Sequence, residues 1–132
     1  MSKGSRTMSQ KPEVTYTDDE VQERLQRELP EWYLENGSIR RKYRTAGWKA
    51  TLMVVNMVGH LAEAAWHHPV LTVSYAFVIV KLTTHSAKGI TDKDFALARK
   101  IEDVIQWQPG SEPGGPFERT PDDPPSKYIK YD

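Results

Sequence analysis

Three of the four histidines in the chain, His67, His68 and His85, flank one apolar run. Imidazole is the side chain whose ordinary pKa, about 6.5, lets it give and take a proton near neutral pH, so such a group can supply an acid and a base together. Glu63 stands four residues before His67, one helical turn away, where its carboxylate would orient that ring. Asp94 stands nine residues after His85, inside a helix-start signature, and would do the same for His85. The chemistry implied is proton transfer. Three imidazoles can also hold zinc with one open position, but adjacent histidines on one turn rarely aim at the same ion. A His-His-Pro turn taken alone is more often a polar corner than a site. The absence of cysteine excludes a thiol nucleophile, thiolate metal ligands and disulfides at once.

These residues have to be positioned by the elements around them. Thr17-Asp18-Asp19-Glu20 has the form of a capping box, and Val21, Leu25 and Leu29 give the following helix an apolar stripe that Pro30 ends. Trp32-Tyr33-Leu34 and Ile39 to Arg44, joined through Asn36-Gly37, predict two strands with a type I′ turn. From Trp48 to Trp66 the residues favour a helix with a wide apolar face, and Lys49, Asn56, His60 and Glu63 share one narrow polar stripe. His67-His68-Pro69 ends that helix, because proline disfavours helical backbone in the residue before it.

A single long strand is expected from about Thr72 to Thr84. Such a strand would separate its ends by roughly 40 Å, so His67 and His68 reach His85 only if the chain bends or the strand starts later. Thr91-Asp92-Lys93-Asp94 is a second cap signature, opening a helix whose buried stripe is Phe95, Ala98, Ile101, Val104 and Ile105 and which should close near Trp107. The order of elements predicts an α+β fold, a small antiparallel sheet covered on one face by helices.

A chain of 132 residues supports one core. Residues 1–15 read as a flexible segment, 16–107 as the folded domain and 108–132 as a Pro/Gly-rich extension. The apolar end of that extension would dock on its own domain or on a neighbouring subunit. Eighteen basic residues balance eighteen acidic ones, so no global field draws the chain to nucleic acid or an anionic membrane. No apolar run approaches the roughly 18 residues of a membrane span, and Met1 to Lys11 lack the apolar region of a signal peptide, which points to the cytoplasm. The width of the apolar face on the Trp48 to Trp66 helix predicts a homo-oligomer.

The run Glu63-x-x-x-His67-His68-Pro69, followed by Tyr75, His85 and Asp94 at spacings of six, ten and nine, resembles the signature of the pterin-4a-carbinolamine dehydratases. The similarity extends from about Tyr16 to Gln106 and includes Leu82 to Gly89. The resemblance implies an α+β domain that assembles into dimers or tetramers and acts on a 4a-hydroxytetrahydropterin, removing water to leave a quinonoid dihydropterin with no cofactor or metal. It implies proton transfer by His67, His68 and His85, support from Glu63 and Asp94, a turn fixed by Pro69, and hydrogen bonds to the pterin from Thr83, Thr84 and Ser86. Trp66 and Leu71 depart from the common pattern and are expected to border the pocket, with Trp66 narrowing the pterin slot or packing over the helix end. Together with the long extension they are similar to the pterin dehydratase-like branch associated with alpha-carboxysomes, whose members are Rubisco assembly factors. That branch would make the Rubisco large subunit the partner in place of a pterin.

Overall fold

The computed structural model describes residues 13–132. The expected flexible segment over residues 1–15 therefore falls mostly outside the described residues. Helix α1 (Asp18–Glu28) begins at the capping box: the Thr17 hydroxyl accepts from the Glu20 amide, and the Glu20 carboxylate accepts from the Thr17 amide. Strands β1 (Tyr33–Glu35) and β2 (Ser38–Arg44) form a hairpin with Glu35 opposite Ser38. Asn36 and Gly37 take φ of 48° and 76°, the two positive values that a type I′ turn requires. Helix α2 (Trp48–Ala65) ends at Trp66, which adopts the left-handed conformation at φ 51° and ψ 46°.

The single strand expected from Thr72 to Thr84 is two strands, β3 (Val70–Ser74) and β4 (Phe77–Leu82), folded back on each other at Tyr75-Ala76. Neither turn residue has a positive φ. The turn is instead pinned from outside: the Thr45 amide donates to Ala76 O at 2.9 Å, and the Thr51 hydroxyl donates to Tyr75 O at 2.9 Å. This reversal supplies the bend needed between His67-His68 and His85. A short 3₁₀ turn (His85–Ala87) follows, then helix α3 (Asp92–Ile105) and a second 3₁₀ turn (Pro109–Ser111).

The four strands lie in the order β1-β2-β4-β3, all neighbours antiparallel. Ile39, Tyr43, Val78, Val80 and Leu82 point to one face and share a core with Val21 and Leu25 of α1, Val54 and Val58 of α2, and Phe95 and Ile101 of α3. All three helices thus cover the same face, which is the expected α+β sandwich. The opposite face carries Arg40, Lys42, Phe77, Ile79 and Lys81, and among the described residues no helix lies over it.

An ionic cluster lies on the helix-covered side. Arg41 is 2 % exposed; its guanidinium forms two hydrogen bonds with the Glu102 carboxylate, at 2.9 and 3.1 Å, and one with Asp132 at 2.8 Å. Tyr43 Oη and Trp32 Nε1 also donate to Glu102, at 2.7 and 3.0 Å. Burial pushes the Glu102 carboxyl up, but the hydrogen bonds from Arg41 and Tyr43 outweigh it and hold it below the usual carboxylate range. Hydrogen bonding to Arg41 likewise lowers Asp132, while burial beside Glu102 raises the Tyr43 phenol.

The extension returns to its own domain. Ile129 is buried, pairs with Thr45 in a β-bridge, and is flanked by backbone hydrogen bonds from Ala46 N to Tyr128 O and from Lys130 N to Arg44 O.

Candidate active site

His67 follows the left-handed Trp66, and that cap decides where each carboxylate goes. An i, i+4 contact from Glu63 to His67 needs a helix that continues through both residues. Here α2 stops at Ala65 and Trp66 reverses the chain. Glu63 therefore meets His68, with Oε1 2.8 Å from Nε2, and not His67 as its spacing implied. His67 is turned to the start of α3, where its Nε2 lies 2.6 Å from Asp94 Oδ1. Asp94 accordingly orients His67, and the pairing expected between Asp94 and His85 does not form.

Asp94 is fully buried at the N-terminus of α3 and is part of that helix's capping box. Its Oδ2 accepts from the Thr84 hydroxyl at 2.7 Å and from the Thr91 amide at 2.9 Å. The Thr91 hydroxyl donates in turn to Thr84 Oγ1, 2.8 Å away, because the Thr84 proton is already committed to Asp94. With Oδ2 filled by two donors, Oδ1 is left for His67. An ionised Asp94 accepts there, so His67 carries its proton on Nε2 and, when neutral, keeps its lone pair on Nδ1. The His67 side chain is 13 % exposed, against 50 % for that of His68.

On the uncovered face of the sheet a cleft of about 260 Å³ is lined by Asn36, Gly37, Ser38, Arg40, His68, Val70, Lys81, Thr83 and His85. Two of the three histidines, His68 and His85, meet there. His67 is not in the lining; it is joined to the cleft through its neighbour His68 and through the Asp94–Thr84 contact beside Thr83 and His85. Thr83 faces the cleft, whereas Thr84 is buried and bonded to Asp94, and the Ser86 hydroxyl donates to the Glu13 carboxylate outside it. Trp66 is 75 % exposed and meets His68 edge to face, with ring centroids 4.9 Å apart. Leu71 does not border the cleft, contrary to its expected place: it packs on the core side of β3, and the adjacent Val70 faces the cleft. A wider groove of about 690 Å³ lies among residues of the extension and contains none of the histidines. Among the described residues no three His, Asp or Glu side chains come together at metal-ligand spacing, because the two Nε2 atoms are drawn to separate carboxylates.

Sequence reasoning missed Arg40, Lys81, Ser38 and Val70 as lining residues. Each is two positions from, or directly across from, another of them, so only the strand register could have grouped them. Among the described residues no helix is long and apolar enough to cross a membrane.

Comparison with known proteins bears on the family of the chain. The sequence profile described as pterin 4 alpha carbinolamine dehydratase matches residues 14–104. A relative from Aquifex aeolicus named "Putative pterin-4-alpha-carbinolamine dehydratase" is 43% identical over 90 residues, covering 68% of this chain and 90% of that protein. One of the same name from Chloroflexus aurantiacus is 44% identical over 89 residues, covering 67% and 95%. The crystal structure of a transcriptional coactivator/pterin dehydratase from Brucella melitensis superposes with a TM-score of 0.63 at 28% identity, covering 69% of this chain and 98% of that one. On the match over residues 14–104 and these identities, the chain belongs to the pterin-4a-carbinolamine dehydratase family.

Proposed function

We propose that the protein is a 4a-hydroxytetrahydropterin dehydratase working by histidine acid/base catalysis. The observation that carries this reading is the cleft flanked by His68 and His85, with each ring of the His67-His68 pair held by its own carboxylate. In the reaction the C4a–O bond breaks as a protonated imidazole donates to the departing hydroxyl. A neutral imidazole takes the N5 proton, and the N5–H electron pair becomes the C4a=N5 bond. Water leaves and nothing is oxidised or reduced. A positioned acid or base contributes about 10² to 10⁴ in rate. His67, His68 and His85 share the proton transfers, with Asp94 and Glu63 orienting His67 and His68. Pro69 fixes the turn, Thr83 contacts the ligand from within the cleft, and Trp66, Thr84 and Ser86 act from the flanking segments. Residues 16–107 form the catalytic unit, located in the cytoplasm.

Assay of 4a-hydroxytetrahydropterin decay tests the proposal. The protein accelerates decay, and His68→Ala or His85→Ala removes most of the acceleration while far-UV circular dichroism stays unchanged. Equal rates for wild type and both variants refute it.

A second reading is favoured by the extension, which lies beyond the family match and sets its exposed Phe117 edge to face against the exposed Trp107 at the end of the domain, with ring centroids 5.9 Å apart. In it the domain is an assembly factor for the Rubisco large subunit, and the extension is the contact surface. Unchanged Rubisco assembly on co-expression removes that reading. In either case α2 leaves Trp48, Leu52, Met53 and Met57 uncovered, which supports association of the chain into a dimer or tetramer.

A further inference from the structure

Strand register sets Arg40 of β2 directly opposite Lys81 of β4 on the uncovered face of the sheet. Like charges in that relation destabilise a sheet unless something answers them. Arg40 is partly answered: its Nε donates to Ser38 Oγ at 2.9 Å and to Glu35 O at 3.1 Å, and the Glu35 carboxylate lies 3.5 Å from Nη1. Lys81 has no ion pair and no side-chain hydrogen bond among the described residues, although it is only partly exposed. Both cations line the 260 Å³ cleft together with His68 and His85, and no aspartate or glutamate is in the lining. A concave site lined by one sign of charge concentrates the opposite charge. Ser38 and Thr83 add hydroxyls at the same place.

We infer that this cleft binds a phosphoryl group. A planar guanidinium and an ammonium, with the His85 imidazole able to donate and that of His68, whose Nε2 is held by Glu63, able to donate from Nδ1 when protonated, match a tetrahedral dianion better than a single carboxylate. Since His68 and His85 are shared with the dehydration site, the substrate class that follows is a pterin bearing a phosphorylated side chain; that part rests on the dehydratase reading, whereas the anion site does not.

The test is a titration of the full chain at constant ionic strength with inorganic phosphate, then with acetate, and finally with a phosphomonoester of a reduced pterin, read by the ring resonances of the histidines. Inorganic phosphate gives a saturable, millimolar response at His68 and His85 and none at His60, which is outside the cleft. Lys81→Met weakens it at least tenfold, Arg40→Gln does likewise, and Lys88→Met leaves it unchanged. Acetate binds at least tenfold more weakly than phosphate, and the phosphomonoester at least tenfold more tightly. Absence of a saturable phosphate response, or one indifferent to Lys81→Met, overturns the site. Equal affinity for acetate overturns its phosphoryl character, and a phosphomonoester no tighter than free phosphate overturns the substrate class. Turnover of a pterin with an uncharged side chain, measured on the same preparation, separates the two proposals. Turnover without phosphate binding sinks only the anion site, and phosphate binding without turnover sinks only the dehydratase.

Discussion

Replacing Asp94 by asparagine alters one atom in a place where every hydrogen bond is accounted for. Oδ2 receives the Thr84 hydroxyl and the Thr91 amide, so the single oxygen left on the new carboxamide stays on that side and the cap of α3 survives. The new NH₂ group then faces His67 Nε2, which lies 2.6 Å from the oxygen it replaces, and a donor confronts a donor. His67 must move its proton to Nδ1 to accept. A charge-assisted hydrogen bond contributes roughly 1.5–3 kcal/mol and a neutral one about 1, so the expected loss of stability is about 1–2 kcal/mol, or several degrees in Tm. The kinetic effect is larger, because the lone pair is on the wrong nitrogen: kcat should fall by about 10² or more with little change in KM. Nitrogen-15 spectra of the imidazoles report the tautomer directly, alongside turnover and thermal melting. If Asp94→Asn keeps His67 protonated on Nε2, or keeps kcat within about threefold of wild type, the assignment of Asp94 as the group that sets the His67 tautomer is wrong.

Glu63→Gln should do far less: the Glu63 and His68 side chains are 68% and 50% exposed, so their contact is worth under about 1 kcal/mol, and Tm measured at pH 7 should move by no more than a few degrees. Acid unfolding should draw on Glu102 and Asp132. Both are held below their ordinary values of 4.5 and 3.8, so their contribution is complete above those values and is lost as pH falls below them; Glu102→Gln should flatten that part of the stability–pH curve in denaturant titrations. Met53→Lys on the uncovered side of α2 should lower the mass found by light scattering at micromolar concentration without shifting the circular dichroism spectrum, and a wild-type monomer would remove the case for self-association.

Much of the fold was legible because its punctuation is local. The capping boxes at Thr17 and Thr91 and the Asn36-Gly37 turn need only neighbouring residues to act, and all three stand where their spacing predicts. The turn at Tyr75-Ala76 was not legible, since its hydrogen bonds come from Thr45 and Thr51, 24 or more residues earlier, and it contains none of the usual turn residues. A run apolar on both faces then read as one strand instead of a hairpin. At the candidate site the residue types were legible and their partners were not. A left-handed Trp at the end of α2 breaks the helical arithmetic that would have joined Glu63 to His67. Leu71 and Val70 show the same limit: adjacent residues in a strand face opposite ways, and which of them meets the cleft depends on pairing with β4.

The turn that carries His67 and His68 leaves two neighbouring rings tethered in unlike surroundings, one to a carboxylate sealed from water and the other to a carboxylate in it. Dissolved ions reach only the second tether. Raising the salt concentration should therefore free the His68 ring to swing while its neighbour stays clamped, so that electrolyte alone could loosen half of the pair and leave the fold as it was.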